Sequence, residues 1–138
     1  MAYTSTRTVL VVDDDRDTII LLSFVLEEEG FTVLTAEDGL SALHALEDEQ
    51  PGLILLDLHM PGMNGWELAG EIRRLYGRQL PIVVMTGGDL TSPTPDRPAD
   101  GYLPKPFDID NLVATVLRYG RFAPSDADGT QTQPSSLG

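Results

Sequence analysis

Residues 53–65, LILLDLHMPGMNG, decide the fold. Four apolar residues lead directly to Asp57, and the chain then enters a loop rich in Pro, Gly and Asn. A continuous apolar run of this length is typical of a strand in a parallel sheet that helices cover on both faces. The pattern therefore predicts a carboxylate at the carboxyl end of a buried strand, where open parallel sheets bind their ligands.

Four other segments have the character of strands, and helical patterns separate them. The predicted strands are residues 9–12, 31–35, 53–56, 82–85 and 101–103. The predicted helices are residues 18–29, 40–49, 66–76 and 108–119. In the last helix Ile109, Leu112, Val113, Val116 and Leu117 recur at helical spacing. Strands that alternate with helices through short loops predict an open α/β sheet, parallel and doubly wound, with right-handed crossovers.

The segment before the last strand departs from this alternation. Residues 87–100, GGDLTSPTPDRPAD, contain Pro93, Pro95 and Pro98. Proline lacks a backbone N–H and disfavours helix at the residue before it. We therefore expect a loop here, with at most a single helical turn, in place of a regular helix.

Composition limits the classes of function. The chain has 138 residues, a net charge of −13 and no cysteine. The charge argues against binding to nucleic acid or an anionic membrane, and the lack of cysteine excludes disulfides and thiolate metal sites. No apolar run could span a bilayer and no signal peptide is visible, so we expect a cytoplasmic protein. We predict one domain at residues 8–122, an N-terminal extension at 1–7 and a flexible polar tail at 123–138.

Five polar side chains follow the predicted strands and should converge at one edge of the sheet: Asp13, Asp14, Asp57, Thr86 and Lys105, the only lysine. Three carboxylates so close together repel one another, and at least one pKa would rise unless a cation is present. With no His or Cys cluster, the oxygen ligands favour Mg²⁺ as that cation. A hydroxyl and an ammonium group beside the ion suit a phosphoryl group. A carboxylate nucleophile also benefits from the fixed position that a buried strand provides.

Four segments of the chain together resemble the receiver domain of two-component response regulators. They are VLVVDDD, LILLDLHMPGMNG, VVMTGG and GYLPKPF, and their order and spacing match over about residues 8–119. The resemblance implies a flavodoxin-like, five-stranded parallel sheet of strand order 2-1-3-4-5. Here the fourth helix of the family would be shortened or replaced by the Pro-rich loop.

The resemblance also implies a role for each residue of the motifs. Asp57 would accept the phosphoryl group, and Mg²⁺ (with Mn²⁺ as a substitute) would bind Asp13, Asp14, Asp57 and the backbone carbonyl of His59. Lys105 would pair with the phosphoryl group, and Thr86 and Tyr102 would form the conformational switch. The peptide between Lys105 and Pro106 would be cis.

The family further implies partners and an output. The donor would be a histidine kinase or a histidine phosphotransfer protein, and the chain would be a stand-alone receiver, a monomer or weak homodimer, that switches protein contacts. In the family the fourth helix contributes to the output and dimer face. The Pro-rich residues 87–100 leave two alternatives open: a remodelled output surface, or signalling through another face.

Two other classes of function remain to be tested. An aspartate-dependent phosphatase would also use Mg²⁺ and a lysine, but such enzymes carry a second aspartate two residues after the nucleophile, where this chain has His59. An interaction module that no longer accepts phosphate is the second alternative. We expect a signalling domain that catalyses only its own phosphorylation and dephosphorylation, rather than an enzyme with an external substrate. The side chain of His59 is expected to be exposed; the alternative is contact with the phosphoryl group or water, which would tune hydrolysis.

Overall fold

The computed structural model describes residues 7–87 and 98–122. Within these ranges five parallel strands form one sheet of order β2-β1-β3-β4-β5, as predicted. The strands are β1 (Thr8–Val12), β2 (Thr32–Ala36), β3 (Leu53–Asp57), β4 (Ile82–Thr86) and β5 (Gly101–Pro104). The helices are α1 (Arg16–Glu28), α2 (Gly39–Asp48), α3 (Gly65–Tyr76) and α4 (Ile109–Tyr119). A 3₁₀ turn, Gly77–Gln79, follows α3.

The sheet separates two apolar clusters because successive strand residues point to opposite faces. On one face Leu10, Ile54 and Ile82 pack against α2 and α3. On the other face Val9, Leu55 and Met85 pack against α1 and α4. Strands β1, β3 and β4 are buried along their whole length, as the apolar runs predicted, whereas the edge strand β2 is partly exposed.

Polar caps begin the helices. Asp15 accepts a hydrogen bond from the backbone of Asp17 at the start of α1, and Asp38 and Asp108 cap α2 and α4 in the same way. Such caps satisfy amide groups that have no partner inside the helix. The chain therefore enters each of these helices within a few residues of a strand end, which keeps the strand-end loops short.

Helical periodicity alone overstates how much of each helix is buried. Leu75 of α3 is exposed, and Ile109 and Leu117 at the edges of the α4 stripe are also exposed. Leu112 and Val116 alone form the fully buried seam of α4. The sheet covers only the centre of the apolar side of each helix. Apolar residues at the edges of that side therefore remain in contact with solvent.

Both ends of the β4–β5 connection are fastened to the sheet. Asp100 accepts hydrogen bonds from the backbone of Ile82 (2.8 Å) and from Arg73 (2.5 Å), and its own amide donates to the carbonyl of Ile82. At the other end the amide of Lys105 donates to the carbonyl of Thr86 (2.8 Å). The predicted loop at 87–100 falls mostly outside the described residues, as does the N-terminal extension, and the tail predicted at 123–138 falls wholly outside them. Among the described helices, none is both long and apolar enough to cross a membrane.

Candidate metal and phosphoryl site

Strand register brings the polar residues together. Val12 is the partner of Leu56, so Asp13 and Asp57 follow neighbouring positions of β1 and β3. On the other side of β3, Asp57 is the partner of Met85, and Thr86 is the partner of Pro104 at the end of β5. The predicted site residues therefore lie at one edge of the sheet because parallel strands place all their carboxyl ends there.

Three carboxylates form the centre of the site. Oxygen atoms of Asp13, Asp14 and Asp57 all lie within 4.8 Å of one another. Asp13 is fully buried, Asp57 is 5% exposed, and Asp14 is open to solvent. Because Asp14 is exposed and the other two acids are buried, an ion from solvent could reach the cluster from the side of Asp14.

Lys105 supplies the positive charge of the site. Its Nζ atom donates a hydrogen bond to Oδ2 of Asp13 at 2.9 Å and lies 3.6 Å from Oδ1 of Asp57. The peptide bond that joins it to Pro106 is cis. One ammonium group is thus shared by two buried carboxylates, which leaves the cluster with net negative charge.

The charges and the burial shift two pKa values. Burial raises the pKa of Asp57, and the negative charge of Asp13 raises it further, against the opposing effects of the His59 amide and Lys105. Burial alone would lower the pKa of Lys105, but its hydrogen bond to Asp13 and the charges of Asp13 and Asp57 outweigh burial, so this pKa is raised. The site therefore favours the charged form of Lys105, whereas the ionised form of Asp57 is only partly stabilised by its neighbours.

The β3–α3 loop holds Asp57 in place from the other side. The amide of His59 donates to Oδ1 of Asp57 at 3.3 Å, and Asn64 and Glu67 form a reciprocal capping box at the start of α3. A Cβ atom on Gly65 would lie only 2.5 Å from the carbonyl oxygen of Asp57 and 2.6 Å from the Cα atom of Leu58. Only glycine allows the helix to begin this close to the strand.

The two residues predicted to act as a switch each contact a side chain from the β3–α3 region. The Thr86 hydroxyl lies 3.3 Å from Nε2 of His59. Tyr102, which is 38% exposed, meets Trp66 edge to face with ring centroids 6.4 Å apart. His59 is exposed, as expected, but its contact with Thr86 was not foreseen. The contact depends on the tertiary register of β3 and β4, and no local sequence pattern reports it.

The donor set fits a magnesium ion. Among the described residues, the side chains of the cluster that could bind an ion are all carboxylates, which Mg²⁺ prefers, and none is a His or Cys. A divalent cation would also offset the repulsion that raises the pKa of Asp57. Asp13, Asp14 and Asp57 are the residues that would hold the ion.

Comparison with known proteins identifies the family. A family model described as the response regulator receiver domain matches residues 9–117. The chain belongs to the response regulator receiver family. Members of this family act as signalling domains, receive their signal from histidine kinases or phosphotransfer proteins, and have an acidic pocket that binds Mg²⁺.

Solved structures of other receivers share this fold. The receiver domain of NtrX from Brucella abortus is 34% identical, with a TM-score of 0.73 over 80% of this chain and 95% of that one. A putative response regulator from Chloroflexus aurantiacus is 32% identical, with a TM-score of 0.75 over 82% and 96%. The chemotaxis protein CheY4 of Vibrio cholerae is 29% identical, with a TM-score of 0.74 over 83% and 99%. The receiver fold of this chain therefore spans nearly the full length of each of these three structures.

Proposed function

We propose that this receiver accepts a phosphoryl group on Asp57 from a phosphohistidine partner in a Mg²⁺-dependent reaction, and so switches protein contacts in a phosphorelay. The observation that carries the proposal is the position of Asp57. Its carboxylate ends a fully buried strand between an acidic pair and the only lysine of the chain. A nucleophile held this firmly beside a metal site and a cation suits phosphoryl transfer.

The transfer exchanges one bond for another. An oxygen of the ionised Asp57 carboxylate attacks phosphorus, a P–O bond forms, and the P–N bond to the donor imidazole breaks. The imidazole nitrogen keeps the electron pair of that bond and takes up a proton. The product is an acyl phosphate, which water later hydrolyses to inorganic phosphate and the free carboxylate.

The residues around Asp57 have separate tasks in this reaction. Lys105, 3.6 Å from Asp57, is positioned to pair with the incoming phosphoryl oxygens. Asp13, Asp14 and Asp57 would hold the ion, and the carbonyl of His59 is proposed as a further ligand. When bound, Mg²⁺ neutralises the carboxylates and stabilises the negative charge on the transferring group. Mn²⁺, which shares the preference for oxygen ligands, is proposed as a substitute.

A groove beside the site suits the phosphodonor. A cavity of about 370 Å³ is lined by Thr18 and Leu21 of α1 and by Lys105, Pro106 and Phe107 after β5. Leu21 is half exposed, and Ile20 and Phe24 next to it on α1 are more exposed still. An apolar surface that adjoins Lys105 would let a histidine-bearing helix of the partner bury apolar side chains while its histidine approaches Asp57.

The output is proposed to follow from a change of charge. Phosphorylation adds about −1.5 to −2 charges and new acceptor oxygens to Asp57. The Thr86 hydroxyl would move to the phosphoryl group, and Tyr102, now partly exposed against Trp66, would turn inward. A preference of a few kcal/mol between the two states is enough to change partner binding. We propose a cytoplasmic, monomeric or weakly dimeric protein that acts through protein contacts and does not bind nucleic acid.

Labelling with a small acyl phosphate tests the proposal. We expect mass spectrometry to detect one added phosphoryl group on the wild type in the presence of Mg²⁺. No added group is expected in EDTA or on Asp57→Asn. The matched control is Asp110→Asn, which removes an exposed acid of α4 and should label like the wild type. Steady turnover of phosphate esters would instead indicate a phosphatase. Equal partner binding by the wild type and Asp57→Asn would indicate an interaction module that does not use phosphate.

A further inference from the structure

His59 makes a side-chain contact that the proposed chemistry does not use. Its Nε2 atom shares a hydrogen bond with the hydroxyl of Thr86 at 3.3 Å, although 27 positions separate the two residues. His59 is exposed, whereas Thr86 is 2% exposed at the end of β4. The contact therefore joins a loop side chain to a buried group at which the switch is proposed to act.

Both partners of this hydrogen bond have their backbones anchored. On one side the amide of His59 donates to Asp57, and the neighbouring amide of Leu58 donates to the carbonyl of Met85 at 3.1 Å. On the other side the carbonyl of Thr86 accepts from the amide of Lys105. Because both backbones are fixed, the Thr86 side chain must rearrange for its hydroxyl to reach Asp57. That rearrangement takes the hydroxyl away from the imidazole.

A threonine hydroxyl has one hydrogen to donate and few directions in which to accept. When it turns toward a phosphoryl oxygen on Asp57, it gives up the geometry that suits Nε2 of His59. The hydrogen bond to His59 is then present in the unphosphorylated state and absent from the phosphorylated one. An interaction made in only one of two states shifts the equilibrium toward that state by its own free energy.

We propose that His59 is a positioning residue that holds Thr86 in its unphosphorylated place and so raises the threshold for switching. The proposal rests on the proposed function, because it assumes that Thr86 moves toward a phosphoryl group on Asp57. The imidazole of His59 acts through Thr86, and this side chain has no task in the transfer itself. Its side chain sets how completely a given level of phosphorylation converts the receiver to its active form.

A double-mutant cycle tests this coupling. Beryllofluoride with Mg²⁺ stands in for the phosphoryl group, and its affinity is measured by ¹⁹F NMR for the wild type, His59→Ala, Thr86→Ala and the double variant. Alanine at 59 keeps the backbone amide that donates to Asp57. We expect His59→Ala to tighten beryllofluoride binding about fivefold when Thr86 is present, the value of one ordinary hydrogen bond, and to change nothing when residue 86 is alanine.

A conservative variant separates positioning from a general effect of the loop. The side-chain amide of glutamine can reach the place of Nε2, so His59→Gln should restore an affinity close to that of the wild type. Weaker binding by His59→Ala would overturn the inference, because it would show that the imidazole contacts the phosphoryl group. An equal change with and without Thr86 would also overturn it.

The proposed function fails in a different way from this inference. If the wild type bound no beryllofluoride at saturating Mg²⁺, the proposed function itself would be wrong, and the inference would fail with it. If the wild type binds and the cycle shows no coupling between His59 and Thr86, only the inference fails.

Discussion

The Nζ atom of Lys105 lies 2.9 Å from Oδ2 of Asp13, although 92 positions of the chain separate them. Asp13 is fully buried and is also one of the three acids that would hold an ion. A bound ion and the ammonium group of Lys105 would therefore compete for the same carboxylate. We expect this competition to set the affinity of the site for metal.

Replacing Lys105 with methionine should make Mg²⁺ bind more tightly. Methionine keeps much of the length of the side chain but removes the positive charge. We expect roughly a tenfold gain in affinity, because a unit charge about 4 Å away near a protein surface contributes about 1 to 4 kcal/mol. Calorimetric titration measures it, and Arg74→Met, which removes an exposed arginine paired with Glu71, serves as the control. Weaker binding would mean that Lys105 is needed to hold Asp13 in position.

Magnesium should stabilise the wild type and have little effect on a site variant. Ligand that binds only the folded state at ten times its dissociation constant adds about 1.4 kcal/mol to the free energy of unfolding. We expect this gain in thermal unfolding of the wild type but not of Asp13→Asn. Asp110→Asn, far along the sequence on α4, should respond to Mg²⁺ like the wild type. A full response by Asp13→Asn would place the ion elsewhere.

Asp57→Asn should stabilise the protein in EDTA, increasingly so as the pH rises. Burial and the charge of Asp13 raise the pKa of Asp57 in the folded state. The folded protein then holds this proton more firmly than the unfolded chain, so wild-type stability falls as the pH rises from about 3.9, the unfolded value, through the raised folded value. Asparagine does not ionise, so the variant does not lose stability in this way. Near neutral pH its free energy of unfolding should exceed that of the wild type by about 1 to 3 kcal/mol.

Urea unfolding at pH 4 and pH 7 measures that difference. The free energy of unfolding of Asp57→Asn should exceed that of the wild type only slightly at pH 4 and by the whole amount at pH 7. Saturating Mg²⁺ should reduce this difference. A gap that is the same at both pH values would show that the ionised carboxylate is not the cause.

Gly65→Ala should disturb both the fold and the site. The added methyl group would meet the backbone of Asp57 and Leu58 at about 2.5 Å, and backbone cannot move aside cheaply. We expect a loss of about 1 to 3 kcal/mol in stability, the usual cost of overpacking, and slower labelling of Asp57. Gly70→Ala in the same helix is the matched control, since nothing lies within 4 Å of the new methyl group. That variant should be neutral or stabilised by up to about 1 kcal/mol.

Trp66 should report activation by fluorescence. It is the only tryptophan, and its ring meets Tyr102 edge to face. If Tyr102 turns inward, this contact is lost, so Mg²⁺ with beryllofluoride should change the Trp66 emission of the wild type. Asp57→Asn should show no change and Tyr102→Leu a smaller one. An unchanged Tyr102→Leu response would assign the signal to another neighbour of Trp66.

Local patterns were enough to predict the sheet and the residues gathered at its edge. Apolar runs marked β1, β3 and β4, and the position of the polar residues after them placed Asp13, Asp57 and Thr86 together. Strand order followed from the family resemblance rather than from any single pattern. The boundaries were less accurate. Helix α1 begins at Arg16 rather than at residue 18, because the polar residues that follow the Asp15 cap already belong to its first turn.

Contacts between distant side chains could not be predicted in the same way. The contact between His59 and Thr86 depends on the strand register that pairs Asp57 with Met85. That Lys105 lies nearer to Asp13 than to Asp57 depends on where β5 ends. Neither residue pair has a spacing or composition that signals contact. Exposure of Leu75 likewise depends on how much of α3 the sheet covers.

The clamps at the two ends of the β4–β5 connection have a practical consequence for evolution and for engineering. Lys105 fixes the carbonyl of Thr86, and Asp100 is tied to Ile82 and Arg73, so hydrogen bonds among the described residues hold both strand ends in place. Lengthening such a connection costs little entropy once its ends are fixed. We therefore expect that an insertion between residues 87 and 98, such as a grafted recognition peptide, would leave these hydrogen bonds and the acidic cluster in place.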